Sequence, residues 1–452
     1  MKISILYTSD EHGWIDSSFR NGGAASMMTE FKQKEGYDTN KAFLLISGGD
    51  NWTGPAISTI TKGEATVETM NAMHYSLSAL GNHEFDFGIE NIKKNLSEAS
   101  FPYLSANFRR KSDHKIPEFV KPYIIKTIQG VKVGIIGLSN VATPGLTKPA
   151  NVEGYEFLPY ISVLTEYTPQ LLRDSAEILI AIIHDCSKDI IELSALFKSL
   201  GYTFVGTGHC HSELNSTKDG VAFIEPTSNF MKYARVDIDF DKSTKKVISL
   251  KEKIEPNTKI APDADVKKVI NKWRDITSKE TDVSIGYTKN GIQIDNDILG
   301  NLVVDSWLAA FPEAQISMSN RHGIRQIIPV GNITLASIMG VLPFENEIYI
   351  VKLTGEQIID NIKCCKPYVG GLVARNGFWL ANGEKLDRNK VYKVVITDYI
   401  YSNGDKFKFK GQDSQPFMTG INFRQPLIDL IKTLKTSPDN PLDDKIDKKG
   451  RY

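Results

Sequence analysis

"ISILYTSDEHG", residues 3–13, is an apolar, strand-like run that stops abruptly in Asp10, Glu11 and His12. Other short apolar runs follow it: "AFLLISG" (42–48), "LSALG" (77–81), "YLSAN" (103–107), "EILIAIIH" (177–184), "YTFVGTGH" (202–209) and "VAFIEP" (221–226). Polar, helix-length segments at 23–35, 88–99 and 187–200 separate several of them. Strands alternating with helices predict an α/β layered domain. "PYIIKTIQGVKVGIIGLS" (122–139) folds back at Gln129-Gly130 as a hairpin, and "YARVDIDFDKSTKKVISLKEKI" reads as a second one turning near 241–245. The sheet is therefore mixed.

The runs end on a consistent set of side chains. The first gives Asp10 and His12, and "GGDNWTG" gives Asp50. "ALGNHEFDFG" gives Asn82, His83 and Asp86; "IAIIHDCS" gives His184; "GTGHCHS" gives His209 and His211. Parallel strands deliver their carboxyl ends to one edge of a layered sheet, and ligands bind there. Imidazole, carboxylate and amide oxygen suit Zn²⁺, Mn²⁺, Fe²⁺ or Mg²⁺ without thiolate. Asp10, His12, Asp50, Asn82, His184, His209 and His211 are too many ligands for one ion, and they suit two divalent ions bridged by Asp50. Such a pair acts on the oxygens of a displacement at phosphorus. A single DxH or HxH is weak evidence; five of eight histidines at the ends of apolar runs is not. In an extended segment, residues i and i+2 share a face. That alternation pairs Asp10 with His12 and His209 with His211, turns Cys210 away, and leaves Glu11 outside the site, toward solvent or a neighbouring loop.

Composition bounds the alternatives. The chain has 452 residues, 41% hydrophobic and 24% charged, enough for two or three domains. Lys+Arg and Asp+Glu both number 54, so no net positive field gathers a nucleic acid or an anionic membrane. Four cysteines (Cys186, Cys210, Cys364, Cys365) are too few for a disulfide framework and fit a reducing compartment; the last two read as packing residues at a helix end. No apolar stretch reaches signal-peptide or membrane-spanning length, so the expected location is the cytoplasm. Residues 252–281 are charged and carry two prolines, then show helical spacing at Val266, Ile270, Trp273 and Ile276: a linker and a bridging helix. Beyond it the spacing predicts helices at 298–310, 334–341 and 426–434, strands at 314–319, 347–353 and 391–398, and a loose C-terminal tail.

The pattern DxH…GD…GNHE…H…GHxH resembles the calcineurin-like metallophosphoesterase signature. "GGDNWTG", "MNAMHYSLSALGNHEFDFG" and "GHCHS" resemble its 5'-nucleotidase branch. The resemblance implies a four-layer α/β/β/α domain with mixed sheets at 1–255, the linker and helix at 256–280, and a smaller α+β nucleotide-binding domain at 281–440. The tail is 441–452. It implies one metal held by Asp10, His12, Asp50 and His211, and another by Asp50, Asn82, His184 and His209. It makes His83 the catalytic histidine, oriented by Asp86. In the second domain "MSNRHGIRQ" resembles the family's NxGGIR, with Asn320 and Arg325 matching and His322 in place of a glycine. Arg321 and Arg325, four apart, present planar forks suited to phosphate. Phe344 and Tyr399 take the positions of the two aromatics that clamp the base, and Asp405 the acidic position facing the nucleoside. Asn403 stands for a glycine, and Arg375 is a further arginine without a fixed register.

The expected activity is hydrolysis of a nucleoside 5'-monophosphate or related small nucleotide, with rotation of one domain against the other. The alternatives are a 2',3'-cyclic phosphodiesterase/3'-nucleotidase, a UDP-sugar hydrolase, or an inactive metal- and nucleotide-binding regulator. The expected partner is a small molecule, with neither nucleic acid nor membrane.

Overall fold

The structure, a computed structural model, describes residues 1–17, 22–294, 297–374, 376–402 and 404–451, so Arg375 and Asn403 lie outside the described residues. The chain forms two compact units, Met1–Thr53 with Ile60–Asp275, and Gly54–Thr59 with Ile276–Tyr452.

In the first unit β1 (Lys2–Thr8), β2 (Phe43–Ser47), β3 (Leu77–Ala79) and β4 (Tyr103–Leu104) run parallel, in that order. The antiparallel hairpin Lys232–Asp241/Lys246–Pro256 extends this sheet beside β1. A second six-stranded sheet repeats the plan. Strands Val131–Leu138, Ile178–Ile183, Tyr202–Thr207 and Val221–Pro226 are parallel, with an antiparallel strand at each edge. The first hairpin turns at Gln129-Gly130, both at positive φ (48° and 83°), as the right-handed twist of the flanking strands demands.

Strand periodicity explains the layers. Ile178, Ile180 and Ile182 point into a core shared with Ile3, Ile5, Tyr7 and Ile46 of the other sheet. Leu179, Ala181 and Ile183 point the other way, onto Leu164, Leu171 and Phe197 of the helices Tyr160–Arg173 and Ser194–Leu200. A strand buried on both faces reads as a continuous apolar run, and "ILIAII" is one. On the far side of the first sheet, helix Gly23–Gln33 carries buried Met27 and Phe31, and helix Glu64–Ala72 buried Met70. The order is helix, sheet, sheet, helix.

The second unit is an α+β domain on a five-stranded sheet in the order Tyr368–Gly370, Ile316–Ser319, Val391–Thr397, Glu347–Thr354, Phe417–Asn422. Helices Ile298–Ala310 and Gln425–Leu434 bury Trp307, Leu427 and Ile431 against one face. Helix Gly355–Cys365 buries Ile358, Ile359 and Ile362 against the other. Helix Ala264–Thr281 contains the point at which the two units divide. Among the described residues, no helix is long and apolar enough to cross a membrane.

Two expectations are corrected here. The C-terminal segment is not a loose tail. Leu442 is fully buried in the core of the second unit, and Asp443 accepts hydrogen bonds from Thr288 Oγ1 (2.8 Å), Lys289 N (2.8 Å) and Asn290 N (2.9 Å). Arg451 forks onto Asp305. Proximity in sequence predicts none of this, because Thr288 and Asp305 lie 155 and 146 residues upstream of their partners. The cysteines are also paired: Cys186 is bonded to Cys210, and Cys364 to Cys365.

Candidate active site

Strands β1, β2 and β3 and strands Ile178–Ile183 and Tyr202–Thr207 all end at the same edge of the first unit, and the expected ligands lie just beyond them. They form three groups whose ligand atoms lie within 4.8 Å of one another: Asp10, His12 and His211; Asp50, His184 and His209; and His12, Asp50 and His83. Asp50 and His12 each belong to two groups, which joins them into one centre.

The backbone geometry is not the extended one expected. β1 stops at Thr8, and Asp10 (φ 54°) and His12 (46°) are left-handed. Asp50 (58°), His209 (71°) and His211 (54°) are left-handed as well. Such conformations are uncommon for residues with a Cβ and persist where the surroundings over-determine them. The pairs therefore meet because tight turns bring them together, and strand alternation is not the cause. Two glycines permit the packing. A Cβ on Gly81 would lie 2.1 Å from Asp50 Oδ1, and one on Gly208 would lie 2.8 Å from Asp10 Oδ2.

Two of the histidines are aimed by their second nitrogen. His12 Nδ1 lies 3.0 Å from the Thr53 carbonyl and His184 Nδ1 2.9 Å from that of Gly48. A carbonyl only accepts, so Nδ1 carries a proton and Nε2 is the nitrogen turned to the centre, free to bind a cation once its own proton is displaced. His184 Nε2 is 3.0 Å from Asp50 Oδ2, and His211 Nε2 is 3.5 Å from Asp10 Oδ1. The Nε2 atoms of His12 and His211 face each other at 3.0 Å. Asn82 Oδ1 is buried with no hydrogen-bond partner among the described residues. An orphaned amide oxygen and two opposed imidazole nitrogens beside two carboxylates fit divalent cations.

The charges point the same way. Burial alone would push the Asp50 carboxyl up, but His184, His83 and His12 outweigh it and hold it well below the usual carboxylate range. Asp10 is lowered too, because His211 and His184 outweigh its burial. Burial opposes protonation of His184, yet Asp50 lifts it to about 10, whereas burial and the His184 charge push His209 down. The histidine protons supply the compensating charge here, and a divalent cation can take their place.

At the rim, His83 Nδ1 is 2.7 Å from Asp86 Oδ2, and Asp86 also accepts from Thr53 Oγ1 (2.7 Å) and Thr147 Oγ1 (3.0 Å). The opposite nitrogen, His83 Nε2, is 4.0 Å from Asp50 Oδ2 and so faces the centre.

Beneath the centre lie groups that motif spacing did not reveal. Glu84 accepts from Asp50 N (3.0 Å), Asn51 N (2.6 Å) and Gly81 N (2.6 Å), tying together the two turns that carry Asp50 and Asn82. Burial, with Asp50 adding to it, pushes Glu84 up to about 8. Glu11 points away from the ligands, as alternation implies, but against the neighbouring turn and not to solvent: it is fully buried, and burial pushes it up to about 7 against the Thr8, Ser47 and Asn51 side-chain donors. The Cys186–Cys210 disulfide links the segment after His184 to the residue between His209 and His211.

In the second unit, Asn320 Nδ2 donates to Asp405 Oδ2 (2.6 Å), the Tyr399 hydroxyl to Asp405 Oδ1 (3.4 Å), and His322 Nδ1 lies 3.8 Å from Asp405. Arg325 sits over the Phe344 ring, 5.7 Å from its centroid. The Arg321 guanidinium forks onto Asp297 (2.6 and 3.2 Å), donates to the Lys366 carbonyl (2.9 Å) and covers Tyr368. Its fork is engaged by Asp297 within the second unit.

Residues 279–377 match the model of the 5'-nucleotidase C-terminal domain. Bovine 5'-nucleotidase is 26% identical, over 90% of this chain and 84% of its own length. A trifunctional nucleotide phosphoesterase of Bacillus subtilis is also 26% identical over 90% of this chain, but the chain spans only 32% of that protein. The crystal structure of a 5'-nucleotidase precursor from Thermus thermophilus superposes with a TM-score of 0.84 at 21% identity, covering 100% of this chain and 99% of that one. The chain is therefore similar to 5'-nucleotidases over 90% of its length, and residues 279–377 carry their C-terminal domain.

Proposed function

We propose that this protein is a metal-dependent phosphohydrolase that releases phosphate from nucleoside 5'-monophosphates or a related small nucleotide. The observation that carries the proposal is the joining of three His/Asp groups through His12 and Asp50, with the His83–Asp86 pair turned toward them. Asp10, His12, Asp50 and His211 would hold one divalent ion, and Asp50, Asn82, His184 and His209 another. When bound, such a pair supplies Lewis-acid charge to the phosphoryl oxygens and acidity to the attacking water.

The remaining work falls to this chain's side chains. His12 and His184 turn Nε2 inward because their Nδ1–H groups donate to the Thr53 and Gly48 carbonyls. His83, anchored through Nδ1 by Asp86, holds a proton at Nε2 toward the phosphoryl group, where it stabilises developing charge and assists the leaving oxygen. In the second unit, Phe344 and Tyr399 would stack on the base, and Asp405, oriented by Asn320, would accept from the nucleoside. Arg325 is the arginine we assign to the substrate.

The engagement of Arg321 by Asp297 favours a second reading, a wider phosphoester range that includes 3'- and 2',3'-cyclic nucleotides and UDP-sugars. A phosphate-release screen over these compounds with Mn²⁺, run on wild type and His83→Ala, tests both. We expect release from at least one 5'-nucleotide and its loss in the variant. Equal release by the two proteins on every compound would overturn the mechanism.

A further inference from the structure

Glu11 stands between two assigned ligands in sequence, yet its side chain points away from them into the protein, fully buried. Its Oε1 accepts from Thr8 Oγ1 (2.5 Å), and its Oε2 from Ser47 Oγ (2.9 Å) and Asn51 Nδ2 (2.7 Å). The donors come from the end of β1, the end of β2 and the residue after Asp50. One carboxylate thus spans the turn bearing Asp10 and His12 and the turn bearing Asp50.

The two turns are also laced along their backbones. Asp10 N donates to the Gly49 carbonyl (2.9 Å), His12 N to that of Asp50 (2.9 Å), and Gly13 N to that of Asn51 (2.7 Å). Those bonds fix the turns' separation on one side, and the Glu11 carboxylate fixes it on the other. The arrangement continues inward. Asn51 Oδ1 accepts from Ser78 Oγ (3.1 Å) in β3, and Asn51 N donates to Glu84. The left-handed backbones of Asp10, His12 and Asp50 each cost free energy, so they need such over-determination to persist.

We infer that Glu11 is a positioning residue: its buried carboxylate braces the Asp10–His12 turn against the Asp50 turn and thereby sets the spacing of the metal ligands. The inference rests on the assignment of those residues as ligands. Three donors converge on two oxygens, so a replacement must leave some of them unmatched in a site closed to water, and the turns then relax toward ordinary backbone angles. Partners one step behind metal ligands typically contribute about 10- to 100-fold in metal affinity.

The test is titration of the full-length, metal-stripped protein with Mn²⁺, followed by isothermal calorimetry and by the electron paramagnetic resonance signal of free Mn²⁺. Wild type, Glu11→Gln, Glu11→Met and Asp10→Ala are compared, with thermal unfolding of each metal-free protein. Glutamine keeps one acceptor, and methionine keeps only the length. We expect affinity to fall about tenfold in Glu11→Gln and up to about 100-fold in Glu11→Met, with KM for the nucleotide unchanged at saturating Mn²⁺ while kcat falls. Wild-type affinity in a folded Glu11→Met protein overturns the brace. Should methionine not fold, Glu11→Gln decides: wild-type affinity overturns the inference, and weakened affinity with an unchanged unfolding temperature supports it. Asp10→Ala separates the two claims, since wild-type Mn²⁺ binding there would sink the ligand assignment itself and the brace with it.

Discussion

Asp86→Asn isolates one charge in the proposed mechanism. Among the described residues, Asp86 Oδ2 receives two donors, His83 Nδ1 and Thr53 Oγ1, both at 2.7 Å, while Oδ1 receives Thr147 Oγ1. An asparagine therefore places its oxygen toward His83 and its amide nitrogen toward Thr147, whose hydroxyl can turn to accept. Shape and hydrogen bonds are retained, and only the negative charge behind the imidazole is lost. A hydrogen bond to a charged group contributes about 1.5–3 kcal/mol, which at about 1.36 kcal/mol per decade corresponds to a kcat lower by about 10- to 150-fold. Asp86 belongs to none of the ligand groups, so metal content and KM should hold. The assay is initial-rate phosphate release at saturating nucleotide and Mn²⁺, with metal content measured on the same samples. Asp86→Asn should add nothing in a His83→Ala background, because a residue acting through another has no effect once that one is gone. A kcat within about threefold of wild type, or an additive loss in the double variant, would refute the argument.

Two further outcomes follow from the second unit. Tyr399→Ala should raise KM with little change in kcat, since a base stack is worth about 1–3 kcal/mol; unchanged KM for every nucleotide would remove Tyr399 from the site. Asp443 is opposed by burial but held down at about 2 by Thr288 and the Lys289 and Asn290 amides, so its contribution to stability is full above about pH 4 and vanishes as the pH falls through about 2. Asp443→Asn should therefore unfold at lower temperature than wild type at about pH 7, with the gap closing on acidification; a gap that stays constant down to about pH 2 would show that the charge is irrelevant.

The second unit also shows where local signals were readable. Helix Gly355–Cys365 begins with a capping box in which Thr354 and Gln357 satisfy each other's backbone amides, a sequence-level signal within "KLTGEQ" that apolar spacing alone passes over. The buried ends of the C-terminal segment carry no such signal, because Leu442 and Arg451 are defined only by partners far upstream.

The sequence by itself determined the layered α/β architecture and the identity of the residues at the strand ends. Apolar runs of strand length and the residues that stop them are local properties of the chain. Tertiary structure alone decided how those residues are held. The left-handed turns at Asp10, His12, Asp50, His209 and His211 arise from contacts between segments as far as 199 residues apart, and no local pattern encodes them. For the same reason Arg321 turns to Asp297, and Glu11, which strand alternation sets outside the site, lies beneath it where the ends of β1 and β2 meet the turn after Asp50. Alternation holds only while the backbone stays extended, and β1 ends at Thr8, two residues before the first ligand.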